Sequence, residues 1–145
     1  MGLFGDVDAS EIPDDPFYVA PGTYLCMIED ASIKPKSDGT GQGFAINYSI
    51  TEEGNDYNGS RIQEWKNLHQ PKDGEELTKD QRTDNARVKQ RLLSLGVPED
   101  VMNQSDTSWI DNLKGIEVYV TVFERPSSDG TRKFTNVGQV KLLNE

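Results

Sequence analysis

The segment 61–68 has the pattern of a β-strand and carries one aromatic side chain together with two basic ones. Trp65 shares a strand face with Arg61, four residues earlier, and Lys66 follows it directly. An exposed aromatic ring stacks on any unpaired nucleobase, and a nearby cation attracts the phosphate backbone. These residue types predict a surface that binds single-stranded nucleic acid, and a purely structural role for Trp65 is the alternative.

A second aromatic pair lies on a later segment with strand-like alternation. The aliphatic residues at even positions from Ile116 to Val122 form one face, which we expect to be buried. Tyr119, Phe123 and Arg125 lie on the opposite face, so the two rings are predicted to point outward. They offer a second stacking surface, and the alternative is that they pack under the N-terminal segment or at a dimer interface.

Two loops supply further positive charge. Lys34 and Lys36 belong to the first predicted hairpin loop, and Arg125, Arg132 and Lys133 bracket the last one. In a small Greek-key barrel of the OB type, the first and last hairpin loops flank the ligand groove. The predicted nucleic-acid-binding residues are therefore Lys34, Lys36, Arg61, Trp65, Lys66, Tyr119, Phe123, Arg125, Arg132 and Lys133.

The residues that catalysis or metal binding would require are nearly absent. With one cysteine, Cys26, and one histidine, His69, the chain has neither an internal disulfide framework nor a Cys/His zinc site. The glycine-rich stretch 39–43 precedes a strand instead of a helix, which is the wrong context for binding a dinucleotide. The acid pairs at 14–15 and 52–53 lie in predicted loops and are interpreted as solvated. We expect a protein that is not an enzyme and that uses no cofactor and no metal.

Charge is distributed unevenly along the 145 residues. The net charge is -10, but residues 1–30 hold seven acids and no Lys or Arg, which leaves -3 on the remainder. A locally basic surface is therefore compatible with the acidic total. We divide the chain into an acidic, extended N-terminal leader, residues 1–21, and a domain, residues 22–145. No apolar run is long enough to span a membrane and no secretory signal is present, so we expect a cytoplasmic protein.

The elements that must position these residues follow one another as three strands, one helix and two strands. Strands are predicted near residues 22–33, 44–50, 61–68, 116–125 and 132–143. On the last strand, the even positions from Phe134 to Leu142 are predicted to share one face. This order predicts a mainly β fold, a five-stranded OB-fold-like barrel with one α-helix between strands 3 and 4.

The predicted helix has clear boundary signals. Thr78, Asp80 and Thr83 are candidates for its N-cap, and Gly96 follows its last apolar residue. The helix carries several basic residues, among them Arg87, Lys89 and Arg91. We predict that these three side chains are solvated.

An ordered series of short motifs resembles the single-stranded-DNA-binding proteins of bacteriophages. The matching segments are Gly22-Thr23-Tyr24, Phe44 to Ile50, Tyr57 to Ile62, Leu113 to Val120, and Phe134 to Val137. The similarity covers roughly residues 22–143. It implies an OB fold and non-sequence-specific binding that protects single-stranded DNA during phage replication and recombination. Many such proteins have an acidic C-terminal segment, whereas here the acidic segment is N-terminal.

The sequence is also compatible with two other functions. One is an OB-like protein–protein interaction module without nucleic-acid affinity, which binds a host or phage protein. Another is an acidic inhibitor that mimics DNA. Within the DNA-binding hypothesis, the leader either competes with DNA for the basic groove or recruits replication and recombination proteins. The sequence leaves open the choice between DNA and RNA, and between a monomer and a homodimer.

Overall fold

The structure is a computed structural model that describes residues 2–3, 5–9, 18–36, 41–71, 74–126 and 133–143. The five strands and the helix between the third and fourth follow in the predicted order, and a second, four-residue α-helix and a short 3₁₀ helix precede the fourth strand. They are β1 (Gly22–Pro35), β2 (Gln42–Ile50), β3 (Arg61–Leu68), α1 (Lys79–Ser94), α2 (Glu99–Met102), the 3₁₀ helix (Ser108–Leu113), β4 (Glu117–Pro126) and β5 (Lys133–Leu142). The prediction of a mainly β fold is confirmed.

All five strands belong to one antiparallel sheet in the order β3-β2-β1-β4-β5. The 14-residue β1 reaches both halves, because it pairs with β2 from Cys26 to Pro35 and with β4 from Gly22 to Met27. A register shift between Ile28 and Asp30 bends it between the two halves. The outer strands β3 and β5 approach each other, but the described residues contain no ladder between them, so the sheet is open there.

The core follows the alternation of the strand sequences. On β2 the residues Phe44, Ile46, Tyr48 and Ile50 are buried, as their spacing predicts, and on β4 every second residue from Val118 to Val122 is buried. Helix α1 covers this face with Val88 and Leu92. The predicted outward orientation of Tyr119 and Phe123 is also confirmed, since they are 39% and 43% exposed.

Helix α1 begins at Thr78, the first of its three candidate N-caps. Thr78 and Gln81 form a capping box, in which the Gln81 backbone N–H donates to Thr78 Oγ1 at 3.2 Å and the Thr78 N–H donates to Gln81 Oε1 at 2.9 Å. The helix ends before Gly96, which has a φ of 84° that glycine adopts without steric cost. These local signals fix both ends of the helix.

The prediction that the even positions of β5 share one face is wrong, because the buried side changes within the strand and Phe134 lines the outer groove. Val137 and Val140 are buried, whereas Gly138 is exposed. The cause is a register shift against β4 between Val120 and Val122, because one extra residue reverses the side on which the following residues lie. Alternation alone does not reveal such a bulge.

The last residues before β1 pack against the sheet. Val19 is fully buried, and its backbone N–H donates to Thr135 Oγ1 at 2.8 Å. The hydroxyl of Tyr18 donates to Glu124 Oε1, and the hydroxyl of Tyr24 donates to the carbonyl of residue 20 at 2.7 Å. The N-terminal segment therefore meets the domain beside β4 and β5. Within the described residues, none of the helices has the length and apolar character needed to cross a membrane.

Candidate nucleic-acid interface

A groove of about 480 Å³ lies on the outer face of β2 and β3 and is bounded by β1 on one side and by the β4–β5 hairpin on the other. We call it the sheet groove. Its lining includes Lys34, Asn47, Gln63, Trp65, Arg125 and Phe134. The structure thus brings together three of the predicted site residues, Lys34, Trp65 and Arg125, which come from three different strands.

Trp65 is held in place by a glycine on the neighbouring strand. A Cβ atom at Gly43 would lie 2.0 Å from Trp65 Cζ2 and 2.2 Å from Cε2, so the indole ring occupies the space that any side chain would need. The indole N–H donates to Asn67 Oδ1 at 3.1 Å. The side chain packs on β2 at Gly43, yet it is still 45% exposed and lines the groove.

Arg125 and Phe134 form the part of the groove contributed by the hairpin. They are direct partners in the β4–β5 ladder, and the guanidinium carbon of Arg125 lies 5.9 Å from the centre of the Phe134 ring. This is a cation–π contact, which orients the cation beside an aromatic surface. Phe134 is a groove residue that the sequence prediction missed, although its place beside the last hairpin was a usable signal.

The groove carries an excess of positive charge. Among the described residues, neither Lys34 nor Arg125 forms an ion pair, and both are exposed. The nearby carboxylate of Glu64 is buried and bound by Arg91. The amide of Asn47 donates to Asp30 Oδ1 at 2.7 Å, which fixes the amide at the groove's edge. An anionic ligand would therefore meet two unneutralised cations.

Three other predicted basic residues lie outside this groove lining. Arg61 is exposed and its Nε donates to Glu29 Oε2 at 3.1 Å, so its charge is partly neutralised. Lys66 lies on the opposite face of β3 from Trp65, with Nζ 3.5 Å from Glu64 Oε2. Lys36 is half-buried at the end of β1.

The remaining predicted residues divide between the β4 face and the last hairpin. Tyr119 and Phe123 are exposed on β4 but do not line the sheet groove. Phe123 contacts Gly138 on β5, where a Cβ atom would lie 3.3 Å from its ring. Lys133 begins β5 opposite Pro126, and Arg132 lies outside the described residues.

A buried side-chain network joins the two outer strands of the sheet. Arg91 of α1 donates to both carboxylate oxygens of Glu64 on β3, at 2.8 to 3.1 Å, and to the carbonyl of Gly138 on β5 at 2.8 Å. The Tyr48 hydroxyl donates to the same carboxylate at 2.9 Å, and burial raises the Tyr48 pKa well above its ordinary value. We call these four groups the Arg91 bridge.

The Arg91 bridge corrects the prediction that Arg91 is solvated. The residue is only 8% exposed, as is its partner Glu64. A buried charge is tolerated when an opposite charge and further hydrogen bonds satisfy it, and both are present here. The prediction failed because the two partners lie 27 positions apart in the sequence.

Cys26 and Tyr18 also have shifted pKa values, and both groups have structural roles. Burial raises the pKa of the Cys26 thiol to about 12, so the thiol is neutral and unreactive. The hydrogen bond to Glu124 raises the pKa of Tyr18 to about 12.

His69 Nε2 lies 2.9 Å from Asp84 Oδ2, and the backbone of His69 exchanges two hydrogen bonds with the side chain of Asn85. These contacts fix the link from β3 to α1.

Fold and site together define an antiparallel β domain with a groove of aromatic and basic side chains on the outer face of its sheet. The chain belongs to the family described as Protein of unknown function (DUF669), whose model matches residues 5–145. No curated protein matches the chain. The family therefore covers nearly the whole sequence without assigning it an activity.

Proposed function

We propose that this protein binds single-stranded DNA without sequence specificity and protects it during phage replication and recombination. The proposal includes the fold: an OB-type barrel in which β3 and β5 face each other across the Arg91 bridge. The strand order β3-β2-β1-β4-β5, with a helix between β3 and β4, supports this assignment. The phage context rests on the resemblance of the motifs described above.

The observation that carries the proposal is the position of Trp65. Its ring packs against Gly43 and lines a groove that also contains the cations Lys34 and Arg125. Such a ring stacks on a base at about 1–3 kcal/mol, and the two cations attract the adjoining phosphates. Bases in a duplex hide their faces in the stack, so the same groove favours single strands.

The two tryptophans of the chain allow a direct test. Trp109 lies on the 3₁₀ helix, packs against the core with its indole nitrogen buried, and does not line the sheet groove. In the Trp109→Phe variant all tryptophan fluorescence comes from Trp65, and we expect an oligo-dT to quench it. In the Trp65→Phe variant the remaining fluorescence of Trp109 should not change.

Fluorescence anisotropy of a labelled oligo-dT supplies the affinity. Binding should weaken with added salt, and a duplex of the same length should bind much more weakly. Binding that is equally tight for the duplex, or quenching that persists in the Trp65→Phe variant, would contradict the assignment of the sheet groove. No binding at low salt would contradict the function itself.

A protein-interaction module is the second candidate. Tyr119 and Phe123 are exposed on β4 outside the sheet groove, and exposed aromatic residues are enriched at protein interfaces. They offer a contact for a second copy of this chain or for a replication or recombination protein, which the acidic leader would help recruit. Sedimentation of the Tyr119→Ser/Phe123→Ser variant tests the self-association, which should be weaker than in the wild type.

A further inference from the structure

A second groove, of about 500 Å³, lies between α1 and β5. We call it the helix groove. Its polar lining consists of Lys66, Thr83, Arg87, Gln90, Ser94 and Gln139, together with Arg91 of the bridge. Among the described residues, its lining contains no acid and no aromatic ring. Such a set of ammonium, guanidinium, hydroxyl and amide groups suits a phosphate backbone better than a base.

The helix groove adjoins the sheet groove at the Arg91 bridge. Glu64 lines the sheet groove, while its partners Arg91 and Gly138 line the helix groove. Trp65 and Lys66 are consecutive on β3, and they face the sheet groove and the helix groove respectively. The two grooves therefore open on opposite faces of β3 and adjoin where the Arg91 bridge links β3 to β5.

The helix groove keeps a positive excess after its ion pairs are counted. The single carboxylate of Glu64 is shared by Arg91 and by Lys66, whose Nζ lies 3.5 Å away. Arg87 is well exposed and lies 3.5 Å from Asp84, a carboxylate that also contacts His69. Lys66 and Arg87 are thus both available to a polyanion.

We infer that the bound strand continues from the sheet groove across the Arg91 bridge into the helix groove, where Lys66 and Arg87 contact its phosphates. The inference rests on the proposed function, because it extends the path of the same ligand. The sheet groove then binds bases by stacking, and the helix groove binds backbone. Short oligonucleotides fill only the first groove, while longer ones fill both.

The test compares oligo-dT of about four and about twelve nucleotides, within the range of site sizes of OB folds. Arg87→Gln removes a charge from the helix groove. Lys89→Gln is the matched control, because Lys89 is also on α1 and exposed but bonds to Glu99 at 2.9 Å and does not line the groove. Anisotropy titrations at several salt concentrations give the slope of log affinity against log salt, with the stoichiometry fixed at one protein per oligonucleotide.

One lost phosphate contact should reduce that slope by about 0.7 for the longer oligonucleotide in the Arg87→Gln variant. Over a fourfold rise in salt concentration, the factor by which the variant loses affinity should therefore be about 2.6 times smaller than the factor for the wild type. Lys89→Gln should leave the slope unchanged, and neither substitution should affect the shorter oligonucleotide.

Three results would overturn the inference. Equal effects of the two substitutions would indicate general electrostatics, and no effect of either would exclude the strand from the helix groove. If Arg87→Gln weakened the binding of poly-glutamate but not that of the longer oligonucleotide, the helix groove would be a site for an acidic protein partner. In all three cases, quenching of Trp65 by the shorter oligonucleotide would leave the proposed function intact, whereas loss of that quenching would refute both.

Discussion

Gly43 is the residue on which the shape of the stacking surface depends most directly. Its φ is not in the left-handed region, so an alanine fits the backbone conformation. The added Cβ, however, would lie 2.0 Å from the Trp65 ring, whereas ordinary contacts begin at 3.4 Å. The ring must therefore withdraw by about 1.4 Å or rotate out of the groove. Gly43→Ala should remove the stacking surface without touching a charge or a ligand contact.

The expected loss of affinity follows from the stacking energy. A stacked base contributes about 1–3 kcal/mol, and 1.4 kcal/mol corresponds to a factor of ten. Gly43→Ala should weaken binding of a short oligo-dT by about 5- to 140-fold, as Trp65→Ala should. The free energy of unfolding should change little, because two effects oppose each other. Alanine stabilises the protein by about 0.4–1 kcal/mol through the lower entropy of the unfolded chain, and the lost packing of the indole destabilises it.

A double-mutant cycle isolates the coupling between the two residues. Anisotropy titrations of Gly43→Ala, Trp65→Ala and the double variant should show that the glycine substitution has no effect once the indole is absent. Gly138→Ala is the matched control, because its Cβ would meet Phe123 at 3.3 Å, which is only slightly tight. Unchanged affinity in a folded Gly43→Ala protein, or additive losses in the cycle, would refute the reasoning.

Two further predictions concern the stability of the domain. Arg91→Met should lower the free energy of unfolding, measured by urea denaturation, by about 3–5 kcal/mol, because it leaves the Glu64 carboxylate buried without its main partner. The double variant Glu64→Gln/Arg91→Met should recover part of this loss. An Arg91→Met protein as stable as the wild type would contradict the role of the bridge. Burial raises the Cys26 pKa from 9.0 to about 12, so the native state retains a proton that the unfolded state loses, and stability should fall as the pH rises from about 9 to about 12. Cys26→Ala should flatten this dependence, and an equal fall in both proteins would assign it to other groups.

Features that depend on neighbours in sequence were predictable. The alternation from Phe44 to Ile50 identified both β2 and its buried face, because side chains on a strand alternate with a period of two. The start of α1 was predictable to within a few residues, because three polar residues could cap it, and the hydrogen bonds between Thr78 and Gln81 select the first. The outward orientation of Tyr119 followed from the aliphatic residues on either side of it.

Features that depend on register were not predictable. The contact of Trp65 with Gly43 joins residues 22 positions apart, and it requires the β2–β3 ladder that sets Ala45 opposite Trp65. A shift of one residue would place another side chain under the indole. The bulge that turns Val137 inward depends likewise on the pairing of two strands. The sequence therefore predicted the residue types of the site but not which of them meet.

The opening of the sheet and the presence of a groove are linked by the way in which β3 and β5 are joined. A backbone ladder would hold two strands about 4.8 Å apart and fill the space between them. In this domain the guanidinium of Arg91 lies between Glu64 on β3 and the Gly138 carbonyl on β5 instead. A side-chain link of this kind holds the outer strands together while it keeps them farther apart than a ladder would. The same residue that stabilises the fold therefore maintains the gap along which both grooves lie.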